Sequence, residues 1–492
     1  MQLDPLEISG SYMQRKSSTV FLWLAIAVVV TLAALLTIIS PLLTICITLV
    51  VIITLLLIAK PEYSLYLFAL SVIPSVILSF KFLGAITLRG SYLVVIILIV
   101  SWIIARLTER RPPYPKTACD HALLLLGIWA LLSLFWSHDR LTGYEDMTKL
   151  FLDIAAVFLM VALVREKRIL KLVLGLFLFT GVIDAILALY YPYNSFYLDT
   201  MWKYSEYFII VFKFWPKNAY IPGGRCMGFF TAHGTAVTLS ISVAFGMMFF
   251  LVTNSIKKRL VLLFIVLLLF SALIGTLTKS VIAGVMCGIV YVSLHLKPLK
   301  QRLFTTMFLI LMLIAVSFIL TRLQDIQRAA SAVSKSVQLY EDESESLANR
   351  IITAEIGIKK LWDTGGLGTG VGGLLQYTPY RHMNGSHPAI LFELGFVGLA
   401  LWFWLLIGAY HLFVTTMRKC KNEYFRRMLL IYLGGYVSIL ISWFVTFSYA
   451  DIYVWFYLGV GLVLVRLAQS APAEPDVRLP FTGKIGESIV IC

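Results

Sequence analysis

Few side chains in this sequence suit chemistry, and those few gather in two stretches. Arg225 stands in Gly-Gly-Arg-Cys-Met-Gly-Phe-Phe (223–230). Arg350 precedes Trp362 and a run in which six of nine residues are glycine (365–373). After that run comes Arg381-His382-Met383-Asn384-Gly385-Ser386-His387, directly before Pro388 and an apolar segment that contains Glu393. Lys279, in Gly-Thr-Leu-Thr-Lys-Ser, is a further cation at the end of an apolar run. An arginine clamps a pyrophosphate through two parallel N–H donors. At a membrane boundary it also snorkels to headgroups with no further role. Histidine is the side chain best suited to general base work near neutral pH, although a lone interfacial histidine often has no role. A glycine run exposes backbone N–H groups, which suits an anion. This one is not a nucleotide P-loop, because no Lys-Ser/Thr follows the glycines, and glycine is equally the usual marker of a turn.

The elements that position these residues are membrane helices. The chain has 492 residues, 60% hydrophobic and only 14% charged. That excludes a soluble globular enzyme, a disordered chain and a disulfide scaffold. Apolar runs long enough to span occur near 19–40, 41–59, 62–80, 91–108, 119–137, 149–164, 168–190, 227–252, 258–276, 279–296, 303–321, 388–413, 428–447 and 449–468. Some abut closely, so the expected fold is all-α and polytopic, with 12–14 transmembrane helices. Asp153, Asp184 and Glu393 lie inside these runs, and a carboxylate there is a site candidate by its cost alone. Two long connections break the pattern: residues 191–226, and the 66 residues of 322–387. Loops of that length are usually functional. An amphipathic helix is expected from about Leu347 to Trp362. Ser386 is the expected N-cap of the following helix, and Pro388 suits its first turn.

The formal net charge is +15, from 41 Lys and Arg against 26 Asp and Glu. With the N-terminus inside and the runs alternating, 25 of the basic residues fall on the inner side and 16 on the outer. Eleven of the 16 lie in the two long loops, and the short outer loops hold only Lys81, Arg89, Arg140, Lys149 and Lys279. Positive charge prefers the cytoplasmic side of short loops. Both termini are therefore expected in the cytoplasm and both long loops outside, and nucleic acid is not an expected partner. Six scattered cysteines form no pairing pattern. The organisation follows: N-terminal helices (1–118), central helices (119–321) with the outer loop 191–226, the large loop (322–387) with its amphipathic helix, C-terminal helices (388–468) and a polar tail (469–492).

Taken together, these pieces resemble the O-antigen ligase and O-antigen polymerase superfamily. The likeness rests on the helices of 123–174, on R-x-x-G-x-F at Arg225, Gly228 and Phe230, and on Arg350, Trp362, Gly368 and Gly370 in order. It rests also on Asn384 and His387 running into E-L-G-x-x-G at Glu393, Gly395 and Gly398. It covers roughly residues 120–450. Two departures stand out. His387 is followed by Pro388, where the family often has Asn, Ser or Gln. Thr278-Lys279-Ser280 is followed by Val281, where the family commonly has Arg.

The resemblance implies a GT-C-like fold with a large periplasmic loop in the bacterial inner membrane. It implies a metal-independent, inverting glycosyltransferase without a cofactor. The donor would be a glycan on undecaprenyl pyrophosphate, and the acceptor a hydroxyl of lipid A core or of another glycan. His387 would be the base, with His382 as the alternative. Arg225, Arg350 and Lys279 would hold the pyrophosphate, supported by Gly368, Gly370, Asn384 and Glu393. The alternatives are a polymerase of the same superfamily and, from a different class, a lipid-linked oligosaccharide flippase, which Asp153 and Asp184 would serve.

Overall fold

The structure, a computed structural model, describes residues 54–74, 79–82, 86–108, 114–190, 232–276, 278–295, 341–377, 385–444, 449 and 451–472. Twelve α-helices follow one another among them: α1 Pro61–Ser71, α2 Gly90–Thr108, α3 Asp120–Ser133, α4 Arg140–Leu163, α5 Lys167–Tyr190, α6 Ala232–Val252, α7 Ile256–Gly275, α8 Lys279–His295, α9 Glu341–Asp363, α10 Ser386–Lys419, α11 Glu423–Ser442 and α12 Ile452–Ser470. Seven of these (α2, α5, α6, α7, α10, α11 and α12) carry stretches long and apolar enough to cross a membrane. The chain is thus a helical, multi-pass membrane protein. The expected runs at 19–40, 41–53 and 303–321 lie outside the described residues.

The helices form where apolar runs of this length satisfy their own backbone hydrogen bonds, and caps set several boundaries. Asp139 accepts from the Thr142 N–H at 3.1 Å and starts α4. Asn422 caps α11 through Tyr424 N and Phe425 N. Apolar side chains from all parts of the described bundle join in one core. Within it α12 packs along α4, α11 along α8, and α10 against α3. The α8–α11 crossing is close because Gly288 faces Gly434: a Cβ on Gly288 would lie 2.3 Å from the Gly434 carbonyl oxygen.

Three local expectations change. A two-stranded antiparallel hairpin, β1 Ser79–Phe82 and β2 Ile86–Arg89, interrupts the helical pattern, with Ser79 opposite Arg89. Such a short pair leaves no periodic signal long enough to read in a sequence. The amphipathic helix starts at Glu341, six residues earlier than expected, because the acidic segment 341–346 continues it. Ser386 is not the N-cap: Gly385 occupies that position with φ 127°, and Ser386 is the first helical residue. The expectation for Pro388 in the first turn holds.

Candidate functional site

The glycine run is the centre of the site, and it is a folded element. Gly365, Gly366, Gly368, Gly370 and Gly372 all have positive φ, which glycine adopts without steric cost. The run threads into a break in α10. Helix α10 is interrupted at Gly395, whose φ of 69° and ψ of −166° belong to no helix. A break in the middle of an apolar helix strands backbone groups where water cannot reach them. Here each finds a partner. Thr369 N donates to the Phe392 carbonyl at 2.9 Å and Gly370 N to the Glu393 carbonyl at 2.9 Å. Trp129 Nε1, from α3, donates to the Leu394 carbonyl at 2.8 Å. On the far side of the break, Phe396 N donates to the Gly366 carbonyl at 3.0 Å.

The other edge of the run is tied to the end of α3. Val371 N donates to Ser133 Oγ at 3.1 Å, and Ser137 Oγ donates to the Val371 carbonyl at 2.9 Å. Fit is tight on both sides. A Cβ on Gly368 would come within 2.6 Å of the Glu393 carbonyl oxygen, and one on Gly370 within 2.6 Å of the Ser133 carbonyl oxygen.

Glu393 stands two residues before the break, half-buried. Its Oε2 accepts from the Tyr449 hydroxyl at 2.5 Å. The buried Gly372 N–H also hydrogen-bonds this carboxylate. Burial, reinforced by the neighbouring Glu393, pushes the Tyr449 phenol well above its ordinary value. The phenol is therefore a permanent donor. Asp146 of α4 acts on both Glu393 and Tyr449 through its charge. Lys149 neutralises that part of α4, binding Glu145 at 2.8 Å and Asp146 at 3.1 Å.

His387 is held differently from a poised base. It is 5% exposed and ringed by Trp402, Phe403, Trp443 and Phe444. Trp402 Nε1 lies 2.9 Å from His387 Nδ1. Indole only donates, so Nδ1 is the unprotonated nitrogen. Nε2 then carries the proton and faces the Leu440 carbonyl at 3.4 Å. The lone pair that would take a proton is committed to Trp402.

The remaining expected residues are distributed as follows. Lys279 is exposed at the first position of α8. Arg350 lies in the helical backbone of α9, upstream of the glycine run. Arg225, His382 and Asn384 lie outside the described residues. Asp184 accepts from Thr238 Oγ1 of α6 at 2.9 Å, a hydroxyl partner on a neighbouring helix. Asp153 is fully buried on α4 beside Tyr92, in the field of Arg89, Lys149 and Asp451. Arg89 and Asp451 form an ion pair at 3.3 Å between the hairpin and the start of α12. Burial alone would weaken the Arg89 charge, but the Asp451 carboxylate outweighs it and holds the guanidinium protonated.

Five functional neighbours escape motif reading: Trp129, Ser133, Ser137, Tyr449 and Asp451. Only Asp451 left a signal, as an acidic residue just ahead of an apolar run. The chain matches no family model, and a comparison with curated proteins likewise finds no match.

Proposed function

We propose that the protein transfers a glycan from a lipid pyrophosphate to an acceptor hydroxyl at the membrane surface, as an O-antigen ligase acting on lipid A core does. The observation that carries this reading is the sealed break at Gly395. It holds a carboxylate–phenol pair, Glu393 and Tyr449, beside a rigid glycine run that continues from the helix bearing Arg350. In this reading the acceptor oxygen attacks the anomeric carbon and the bond to the pyrophosphate oxygen breaks. The configuration inverts, and the acceptor proton passes to a base. Pyrophosphate leaves as a stable anion, so cations placed where its charge develops supply the main assistance. Arg225, Arg350 and Lys279 are the cations proposed for that role.

The base is assigned between Glu393 and His382. His387 serves only if Trp402 releases its Nδ1, so we assign it a structural role ahead of a chemical one. A polymerase reaction differs only in its acceptor, the terminal sugar of a second glycan.

Purified protein with a lipid-linked glycan and acceptor tests the reading. Arg225→Ala, Arg350→Ala and Glu393→Gln are each expected to lower turnover by a factor of about 100 or more, with expression and thermal stability near the parent's. Full activity in all three variants overturns it. A deletion strain separates the acceptors: loss of all polymer on lipid A with intact lipid-linked polymer indicates a ligase, and a single repeat unit indicates a polymerase.

A further inference from the structure

The other end of the bundle carries a strongly charged patch that the proposed transfer does not use. Helix α4 runs 24 residues from the hairpin end to Leu163, and α5 begins four residues later. The start of α5 presents Lys167, Arg168 and Lys171, all exposed. Beside it, Lys421, Arg426 and Arg427 flank the first turn of α11. Against these six cations stand Glu166, which is exposed, and Glu423, which already binds both Arg426 and Arg427. Glu62 of α1 also faces this end.

The two lysines are not extended into water. Lys167 Nζ lies 3.3 Å from the centre of the Tyr424 ring and 5.8 Å from that of Phe425. Lys171 Nζ lies 5.3 Å from the same Tyr424 ring. A ring face attracts one cation, but two ammonium groups gathered on one ring repel each other. They also sit at the first turn of α5, where the helix dipole disfavours positive charge. An anion between them removes both penalties. Its depth is set by the neighbours: Ile169 and Leu170 are buried, as are Phe425 and Met428, so the ring lies at the boundary between apolar core and polar surface. Basic clefts between membrane helices at that level take lipid headgroups.

We propose that the cleft where the first turns of α5 and α11 meet binds the phosphate of an anionic phospholipid headgroup, with Lys167 and Lys171 seated on Tyr424 as its charge partners. The proposal is independent of the transferase reading and concerns the opposite end of the molecule.

Thermal unfolding of the full chain in neutral detergent tests it. Added phosphatidylglycerol is expected to raise Tm by about 2–4 °C in a saturable way, and phosphatidylcholine is expected to leave it unchanged. Lys167→Ala/Lys171→Ala abolishes the rise. Lys257→Ala/Lys258→Ala, which removes the same charge at the start of α7, keeps it. Lys167→Arg/Lys171→Arg also keeps it. If the double alanine variant does not fold, Lys171→Ala alone serves and at least halves the rise. Equal loss in the α7 variant means diffuse surface charge and overturns the site. An undiminished rise in the Lys171→Ala protein overturns it too. Inorganic phosphate at millimolar concentration is expected to do nothing; a rise equal to that with lipid assigns the cleft to a soluble phosphate and overturns the headgroup.

Discussion

At the residue scale, His387 and Glu393 exchange the roles that their types suggest. A histidine next to a proline at the start of an apolar helix reads as an accessible base. Its burial among Trp402, Phe403, Trp443 and Phe444 depends on side chains up to 57 positions away, which local spacing does not reveal. Glutamine offers an acceptor for Trp402 and a donor for Leu440, so His387→Gln is expected to keep its thermal stability. His387→Ala leaves the indole N–H unpaired and opens the cage, at a cost of about 2–4 kcal/mol, read as a fall in Tm. A His387→Gln protein without turnover but with parental Tm would return the base assignment to His387. Glu393 was legible as a costly intramembrane carboxylate. Its partner Tyr449 was not, because a lone tyrosine in a short connection carries no pattern.

At the scale of elements, the glycine run and the interrupted helix α10 are one unit. Sequence reading found both and gave no hint that one fills the other. The hydropathy of 388–413 is continuous across Gly395, so the run reads as one unbroken helix. Only the backbone bonds from Thr369, Gly370 and Phe396 reveal the junction. Two glycines of the same helix make the test. Gly395→Ala forces an alanine into a conformation reserved for glycine and sets its Cβ 2.2 Å from the Gly366 carbonyl oxygen, so a loss of about 1–3 kcal/mol or more is expected. Nothing lies within 4 Å of a Cβ on Gly408, and Gly408→Ala is expected to be neutral or slightly stabilising. Paired Tm measurements in one detergent compare them; equal effects would show that the break is not held as described.

Across the whole molecule, the composition fixed the class and the charge alternation proposed an orientation, while long-range pairing stayed hidden. The Arg89–Asp451 pair joins residues 362 positions apart. It links a hairpin near the first described helices to the cap of the last. Arg89 is 32% and Asp451 12% exposed, so solvent screens part of the attraction. A double-mutant cycle with Arg89→Ala and Asp451→Ala is expected to give a coupling of about 1 kcal/mol in unfolding stability. Additive single effects would mean that the two ends are held by packing alone.

The seal at Gly395 also bears on how the chain is made. Trp129 and the Leu394 carbonyl it satisfies are 265 residues apart, so the donor leaves the ribosome long before the acceptor exists. The glycine run emerges only some 20 residues ahead of the break. The first half of α10 thus enters the bilayer with open carbonyls unless α3 is already in place to receive it. Biogenesis is in this sense ordered by a single indole. A fragment beginning after residue 137 would carry every residue of the apolar helix and still lack what lets its broken half settle in lipid.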